Sequence, residues 1–263
     1  MRRLPAVGQE APARRGRTAG FDRGEDGRSR NPEVASDRTD RMKIAILGGT
    51  GDIGEGLALR LAADTPHRVA VGSREAEKAE TKAEEYTTEL ESRGLDAAVT
   101  GGENAAVAAD ARIVVLAVPP YHVGDTVGAV AESLDDGDVL VSPATGMKRD
   151  EEGFHYHKPG AGSVTQIVAD AAPEGVTVVG AFHNLAAARL ANLDAELGVD
   201  TLVIGDDEDA KATVADIAEG IEGLRALDAG GIANAPEIEG LTPLLINVAQ
   251  NNDGLHDLGV RFQ

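Results

Sequence analysis

Residues 43–56 read KIAILGGTGDIGEG. The apolar run from Ile44 to Leu47 is unbroken, as in a strand buried on both faces, whereas Ile53, Leu57 and Leu61 recur every four residues, as on one face of a helix. The glycines between them therefore occupy a strand-to-helix turn. Gly49, Gly51 and Gly54 fit the spacing G-x-G-x-x-G: one glycine permits the tight turn, one lets the backbone approach a pyrophosphate, and one lets helix and strand pack closely. A helix that starts there directs its unbonded N–H groups and the positive end of its dipole at the phosphates. Alone the motif is weak, but between a buried strand and an amphipathic helix it reads as a dinucleotide-binding turn.

Outward from this turn, strand and helix alternate. RVAVG (68–72) reads as a second strand, and residues 75–93 place Ala76, Ala79, Ala83, Tyr86 and Leu90 on one face of a helix whose other face is charged. ARIVVLAVPP (111–120), GDVLVSP (137–143) and GVTVVGAF (175–182) add three apolar strands. The pattern predicts an α/β fold, a doubly wound parallel sheet of Rossmann type. After Phe182 come a helix over 184–195, a strand TLVIG (201–205), a helix over 208–222 and a last apolar segment over 237–252. The expected organisation is a dinucleotide-binding domain over 42–182 and a smaller C-terminal α/β domain over 183–263.

The end of the second strand selects the dinucleotide. An NAD-binding turn is usually followed, roughly 20 residues on, by a carboxylate that accepts from the adenine ribose. Here Ser73 and Arg74 stand in that place, with Lys78 one helical turn further. A carboxylate would repel a 2′-phosphate, whereas a hydroxyl and two cations suit it, so the cofactor expected is NADP. The competing reading makes Arg74 and Lys78 ordinary surface residues paired with Glu75, Glu77 or Glu80.

Composition limits the partners. Residues 42–263 hold 38 Asp or Glu against 15 Lys or Arg. Such a surface repels nucleic acid and anionic membranes, and it is typical of proteins in concentrated salt, where self-repulsion is screened. A halophilic cytoplasm is the expected setting. Residues 1–41 differ: ten Arg, no Lys and little apolar periodicity predict a disordered leader, or a start that truly lies at Met42. The leader has no apolar stretch of a secretory signal. Without cysteine there is no disulfide, thiolate nucleophile or cysteine-held metal. His155 and His157 in FHYH lack a third ligand and lie among Gly and Pro, so that segment reads as a mobile loop and no metal is expected. The scattered Tyr and Phe form no base-stacking platform. Small-molecule cofactors remain as partners, and the apolar LTPLLINVA (241–249) reads as either a homodimer interface or a buried helix.

Five stretches together carry a resemblance: MKIAILGGTGDIGEGLALRLA from Met42, VGSREAEKAE from Val71, VVLAVPPYH from Val114, GAFHNLAAARLANL from Gly180 and LDAGGIANAPEIEGLTPLLINV from Leu227. They resemble the F420-dependent NADP reductases of archaea and actinobacteria, and the likeness runs from Met42 to the C-terminus. The resemblance implies an oxidoreductase that moves a hydride between reduced coenzyme F420, a 5-deazaflavin, and NADP. It further implies that Gly49, Thr50, Gly51, Asp52, Ile53 and Gly54 line the pyrophosphate and that Ser73, Arg74 and Lys78 hold the 2′-phosphate. On the same basis Val118, His122, Thr145 and Ala187 would lie along the nicotinamide half, His183 would touch the deazaflavin, and Leu258 would close the pocket. No further catalytic group is required, because the two cofactors carry the chemistry. The chain departs from the family pattern at Pro236 and Gly240, where Arg and Ser are usual, and at Asp52, where an Asn is. Thr242 and Pro243 match.

Two other functions stay open on the residues alone. An NADP-dependent reductase of a small imine or keto acid would need a proton donor in the C-terminal part, where Lys211 is the sole lysine. A non-catalytic NADP sensor would keep the phosphate-binding set and need no second cofactor pocket.

Overall fold

A computed structural model describes residues 41–263; apart from Arg41, the expected leader lies outside the described residues. Its first half follows the alternation read above: β1 (Lys43–Leu47), α1 (Asp52–Asp64), β2 (Arg68–Ser73), α2 (Ala76–Ser92), β3 (Val99–Glu103), α3 (Asn104–Ala108), β4 (Ile113–Leu116), α4 (Val123–Val130) and β5 (Val139–Ser142). A hairpin of β6 (Met147–Asp150) and β7 (Gly153–Tyr156) interrupts the pattern before α5 (Val164–Ala171) and β8 (Thr177–Gly180). The remainder comprises α6 (Ala187–Ala191), β9 (Val199–Gly205), α7 (Glu208–Glu219), β10 (Leu224–Asp228), α8 (Ala235–Glu239) and α9 (Leu241–Gln250).

Eight strands form one sheet in the order β10-β9-β8-β5-β4-β1-β2-β3. The strand order reverses between β1 and β4, so the crevice outside their carboxyl ends is where a doubly wound sheet binds its ligand. Alternate residues of each strand feed opposite faces. Ile44, Ile46, Val69, Val71, Val115 and Val141 pack under α1, α2, α6 and α7, while Ala45, Leu47, Ala70, Val114, Leu116 and Leu140 pack under α3, α4 and α5. Burial on both sides explains why these strands read as continuous apolar runs.

Three elements differ from the sequence reading. The strand β3 (VTGGE) carries two glycines in place of an apolar run, and it pairs parallel to β2 through the register Val69↔Val99 to Ser73↔Glu103. The segment expected as a mobile loop is the β6–β7 hairpin, with Met147 opposite Tyr156 and Asp150 opposite Gly153. Asn247 of α9 fixes that hairpin: its side chain accepts from Phe154 N–H at 2.8 Å and donates to Phe154 O at 2.6 Å, as a neighbouring strand would. Finally, β9 runs antiparallel to β8, with Val179↔Gly205 and Gly180↔Ile204, and β10 runs parallel to β9. The strands after Phe182 thus extend the same sheet, and the helix expected over 184–195 is confined to the five residues of α6.

Candidate functional site

The glycine turn is set by contacts that leave no room for side chains. Gly48 has φ +76°, and a Cβ there would lie 2.5 Å from Ala117 O and 2.7 Å from Val118 Cγ1. A Cβ on Gly54 would lie 2.6 Å from Gly49 Cα, which is the close helix–strand packing the motif requires. Gly51 is the exception: a Cβ there would meet only Gly48 O, at 3.5 Å. Its side is open, as a surface that admits a phosphate must be. Gly51 is also the residue before α1, and no side chain caps the helix, so the first-turn amides of residues 52–54 are left for an anion. Asp52 is exposed beside them.

A residue from α2 holds this turn in place. The Tyr86 hydroxyl, buried with its ring, donates to Gly49 O at 3.0 Å and lies 3.4 Å from Glu55 Oε2. Burial and the nearby Glu55 push the phenol well above its ordinary range, so it stays a donor. Next to the turn, Gly48 N–H donates to Gly72 O at 3.0 Å, and this bond brings the end of β2 alongside. Ser73 Oγ accepts from Glu75 N–H at 3.2 Å, and Arg74 and Lys78 are exposed. Among the described residues neither enters an ion pair, although Lys82 on the same helix pairs with Glu85 at 2.6 Å. The pairing with neighbouring glutamates that the competing reading requires is absent among the described residues, and both cations remain available.

A cavity of about 730 Å³ opens beside the first turn of α1. Asp52 and Glu55 form one side, Asn184, Ala187 and Ala191 another, and Thr242, Leu245 and Ile246 of α9 a third. Leu255 to Leu258 complete the wall. Of the expected site residues it gathers Asp52, Ala187 and Leu258. Val118 is beside the glycine turn, and His122 is exposed in a short 3₁₀ turn, its ring 4.5 Å from that of Tyr121.

Thr145 and His183 belong to an inner polar layer. Thr242 Oγ1 donates to His183 O at 2.7 Å and therefore accepts from Thr145 Oγ1 at 3.3 Å. The imidazole of His183 is buried and does not line the cavity. Its Nε2 lies 3.3 Å from Thr165 Oγ1, which in turn donates to Glu239 Oε1 at 3.1 Å. Thr165 has one hydroxyl proton and gives it to the carboxylate, so His183 must carry its proton on Nε2. Glu239 is fully buried and also accepts from the Val164 and Thr165 amides, each at 3.0 Å, and from Tyr156 Oη at 2.9 Å. Burial pushes its carboxyl up, and these four donors oppose that rise. Desolvation alone lowers the His183 pKa to about 4, so the ring is neutral. The residue before it, Phe182, has φ +67°, a left-handed backbone held by burial of its ring and by a 2.9 Å bond from its N–H to Thr201 Oγ1.

Sequence reasoning did not find roles for Tyr86, Asn184, Glu239 or, beyond the match at Thr242, the α9 residues of the cavity. Tyr86 occupied an apolar helical face and Glu239 a short acidic run, and only long-range packing distinguishes them from core and surface. Lys211, the donor an imine or keto-acid reductase would need, is buried away from the cavity, its Nζ 3.0 Å from both Asp228 oxygens and 2.9 Å from Glu208. His155 is held by Asp150 at 2.9 Å, and among the described residues no group of three or more His, Cys, Asp or Glu could hold a metal. No helix among them is long and apolar enough to cross a membrane.

Residues 43–146 match the family described as NADP oxidoreductase, coenzyme F420-dependent. An F420-dependent NADP reductase of Methanocaldococcus jannaschii is 41% identical over 213 residues, which cover 79% of this chain and 92% of that protein. One from Methanothermobacter marburgensis is 38% identical over 224 residues, 84% of this chain and 98% of that one. A crystal structure from Arthrobacter sp. FB24, assigned provisionally as an F420-dependent NADP reductase, superposes with a TM-score of 0.68 at 26% identity, covering 84% of this chain and 99% of the other.

Proposed function

This chain belongs to the F420-dependent NADP reductases, oxidoreductases that move a hydride between F420 and NADP, and from that premise we propose how its residues divide the work. The bound cofactors supply the hydride chemistry themselves. The protein's share is to hold both in register and to keep water out. Gly51 offers the open face for the diphosphate, and the uncapped amides of residues 52–54 donate to it. Ser73, Arg74 and Lys78 take the 2′-phosphate. Val118, beside the turn, continues the path toward the carboxyl edge of the sheet. Ala187, Thr242 and Leu258 wall the cavity that receives the deazaflavin ring, and His183 and Thr145 serve that wall by fixing Thr242 from behind.

The observation that carries this reading is the junction of the two halves: Asp52 and Glu55, in the first turn after the glycines, also line the cavity closed by Leu258. A sensor of NADP alone would need no such chamber, and an imine or keto-acid reductase would need a proton donor that Lys211 cannot be from its ion pairs. The deciding experiment varies each cofactor in turn with wild type and Arg74→Ala. Because Arg74 makes no ion pair among the described residues, its removal should leave the fold intact. NADP binding should weaken by about 1.5–3 kcal/mol, the range for a hydrogen bond to a charged group, with deazaflavin binding unchanged. Equal loss for NAD and NADP would refute the phosphate assignment, and a wild type that turns over no deazaflavin would refute the activity.

Two finer properties belong to the same proposal. The protein is a homodimer through α9: of its ten residues only Pro243 is buried, and Leu244 (55% exposed) and Val248 (37%) stand one turn apart on its outer side. It works in a salt-rich cytoplasm, which the carboxylate excess and the lack of a spanning helix among the described residues support.

A further inference from the structure

Four of the last thirteen residues, 255–258, line the cavity, yet none of residues 251–263 is buried. Hydrophobic packing therefore contributes little to holding them, and their position has to come from elsewhere. It comes from Asp200, which is itself fully buried at the start of β9. Its backbone N–H donates to Val260 O at 2.8 Å, and its carboxylate accepts from Phe262 N–H at 2.6 Å. Arg225, at the start of β10, closes the arrangement. Its Nε and Nη2 donate to the two Asp200 oxygens at 2.8 and 2.7 Å, and Nη2 also donates to Phe262 O at 2.6 Å. The planar guanidinium matches the carboxylate in the two-pronged geometry that Lys cannot reproduce, and the pairing holds the Asp200 carboxyl below its ordinary range. Asp200 O accepts from Asn184 Nδ2 at 2.7 Å, so one residue ties the tail to the wall of the same cavity. Arg225 does not itself line it.

We infer that Arg225 is a positioning residue for the ring cavity: acting through Asp200 and residues 260–262, it holds Leu255–Leu258 as the wall that closes over the deazaflavin. The inference rests on the reading that this cavity receives the deazaflavin. The clamp touches neither ligand, and its distance from the glycine turn makes its effect selective. Losing it should free the tail and weaken the ring site while leaving the dinucleotide site alone.

The test uses the full chain and three variants: Arg225→Ala, Arg225→Lys, and a chain ending at Gly259, which keeps the Asp200–Arg225 pair but lacks the strap it holds. Binding of oxidised F420 and of NADP is titrated separately, and digestion of the C-terminus by carboxypeptidase is timed. Arg225→Ala and the shortened chain should each bind F420 roughly tenfold more weakly, a loss of positioning of about 1.4 kcal/mol. Their NADP affinity should stay within about twofold of wild type, since the amides and cations of that site are untouched. Carboxypeptidase should trim Arg225→Ala faster than wild type, with Arg225→Lys between them. Faster trimming with unchanged F420 binding would overturn the inference, as would an equal loss for both cofactors, which marks a general structural role. A shortened chain that binds F420 normally would overturn it even if Arg225→Ala did not. If wild type itself binds no F420, the functional reading falls and the inference with it.

Discussion

Replacing His183 by Gln should change how stability depends on pH, by an amount the fold sets. The ring is buried, its Nδ1 has no partner, and burial lowers its pKa from an ordinary 6.5 to about 4. As pH falls, the unfolded chain takes up this proton first, near pH 6.5, and the folded chain only near pH 4. The unfolded state binds more protons across that window, so folding stability falls as pH falls. The contribution is fully present above about pH 6.5 and fully lost below about pH 4. With each tenfold difference in proton affinity worth about 1.4 kcal/mol, the loss is on the order of 3 kcal/mol. Other carboxylates titrate in the same range, but they do so in both proteins and cancel in the difference. Urea unfolding of wild type and His183→Gln, at fixed high salt and a series of pH values between 7.5 and 4, reads that difference directly. The wild type should lose about 3 kcal/mol more than the variant. Parallel curves would mean that the imidazole reaches water in the folded state and is not part of the buried layer behind Thr242.

The glycines of the turn should separate stability from binding. Gly54→Ala puts a methyl 2.6 Å from Gly49 Cα and should cost about 1–3 kcal/mol of stability, whereas Gly51→Ala, with open space around it, should melt like wild type but bind NADP at least tenfold more weakly; melting curves and NADP titrations on both variants check this. Leu244→Glu should convert the proposed dimer to a monomer in sedimentation without lowering the melting temperature of the protomer, since the residue is exposed; a wild type that sediments as a monomer would refute the dimer. Melting temperature should climb from dilute buffer to molar KCl as repulsion among the surplus carboxylates is screened, and a protein most stable at low salt would contradict the salt-rich setting.

Sequence alone reached the elements whose burial is periodic. The runs from Ile44, Val69, Ile113, Val139 and Val178 are each buried on both faces, so their apolar character is continuous and visible. β3 escaped because Gly101 and Gly102 interrupt its pattern, and the hairpin β6–β7 because its residues are exposed or half-buried and its partner is an Asn side chain from α9, 93 residues away. Strand direction left no trace, since an apolar run reads the same in a parallel or an antiparallel ladder. At the site, the glycines and the cations after β2 stand out in the sequence because the roles proposed for them follow from local spacing. Asp200, Arg225 and Tyr86 do not, because each is defined by a partner that only the folded sheet brings near. The uncharged, buried state of His183 is equally a property of packing.

The reversal between β8 and β9 redistributes where this protein can tolerate added length. In the parallel half, loops that follow strands build the edge proposed for the cofactors, so lengthening the connections after β1, β2 or β4 should intrude on the dinucleotide. Beyond β8 the sense inverts: strands β9 and β10 begin at that edge, and the connections leaving them, at 206–207 and 229–231, fall on the far side. Insertions there should be accommodated as ordinary surface loops. The stretch that enters β9, 192–198, is the sensitive one, since it follows the cavity residues Ala187 and Ala191. Arg60 of α1 grips it through the carbonyls of Asn192 and Ala195, both at 2.7 Å. A tag, a fluorescent reporter or a natural extension would therefore be carried at opposite ends of the strands in the two halves of one sheet.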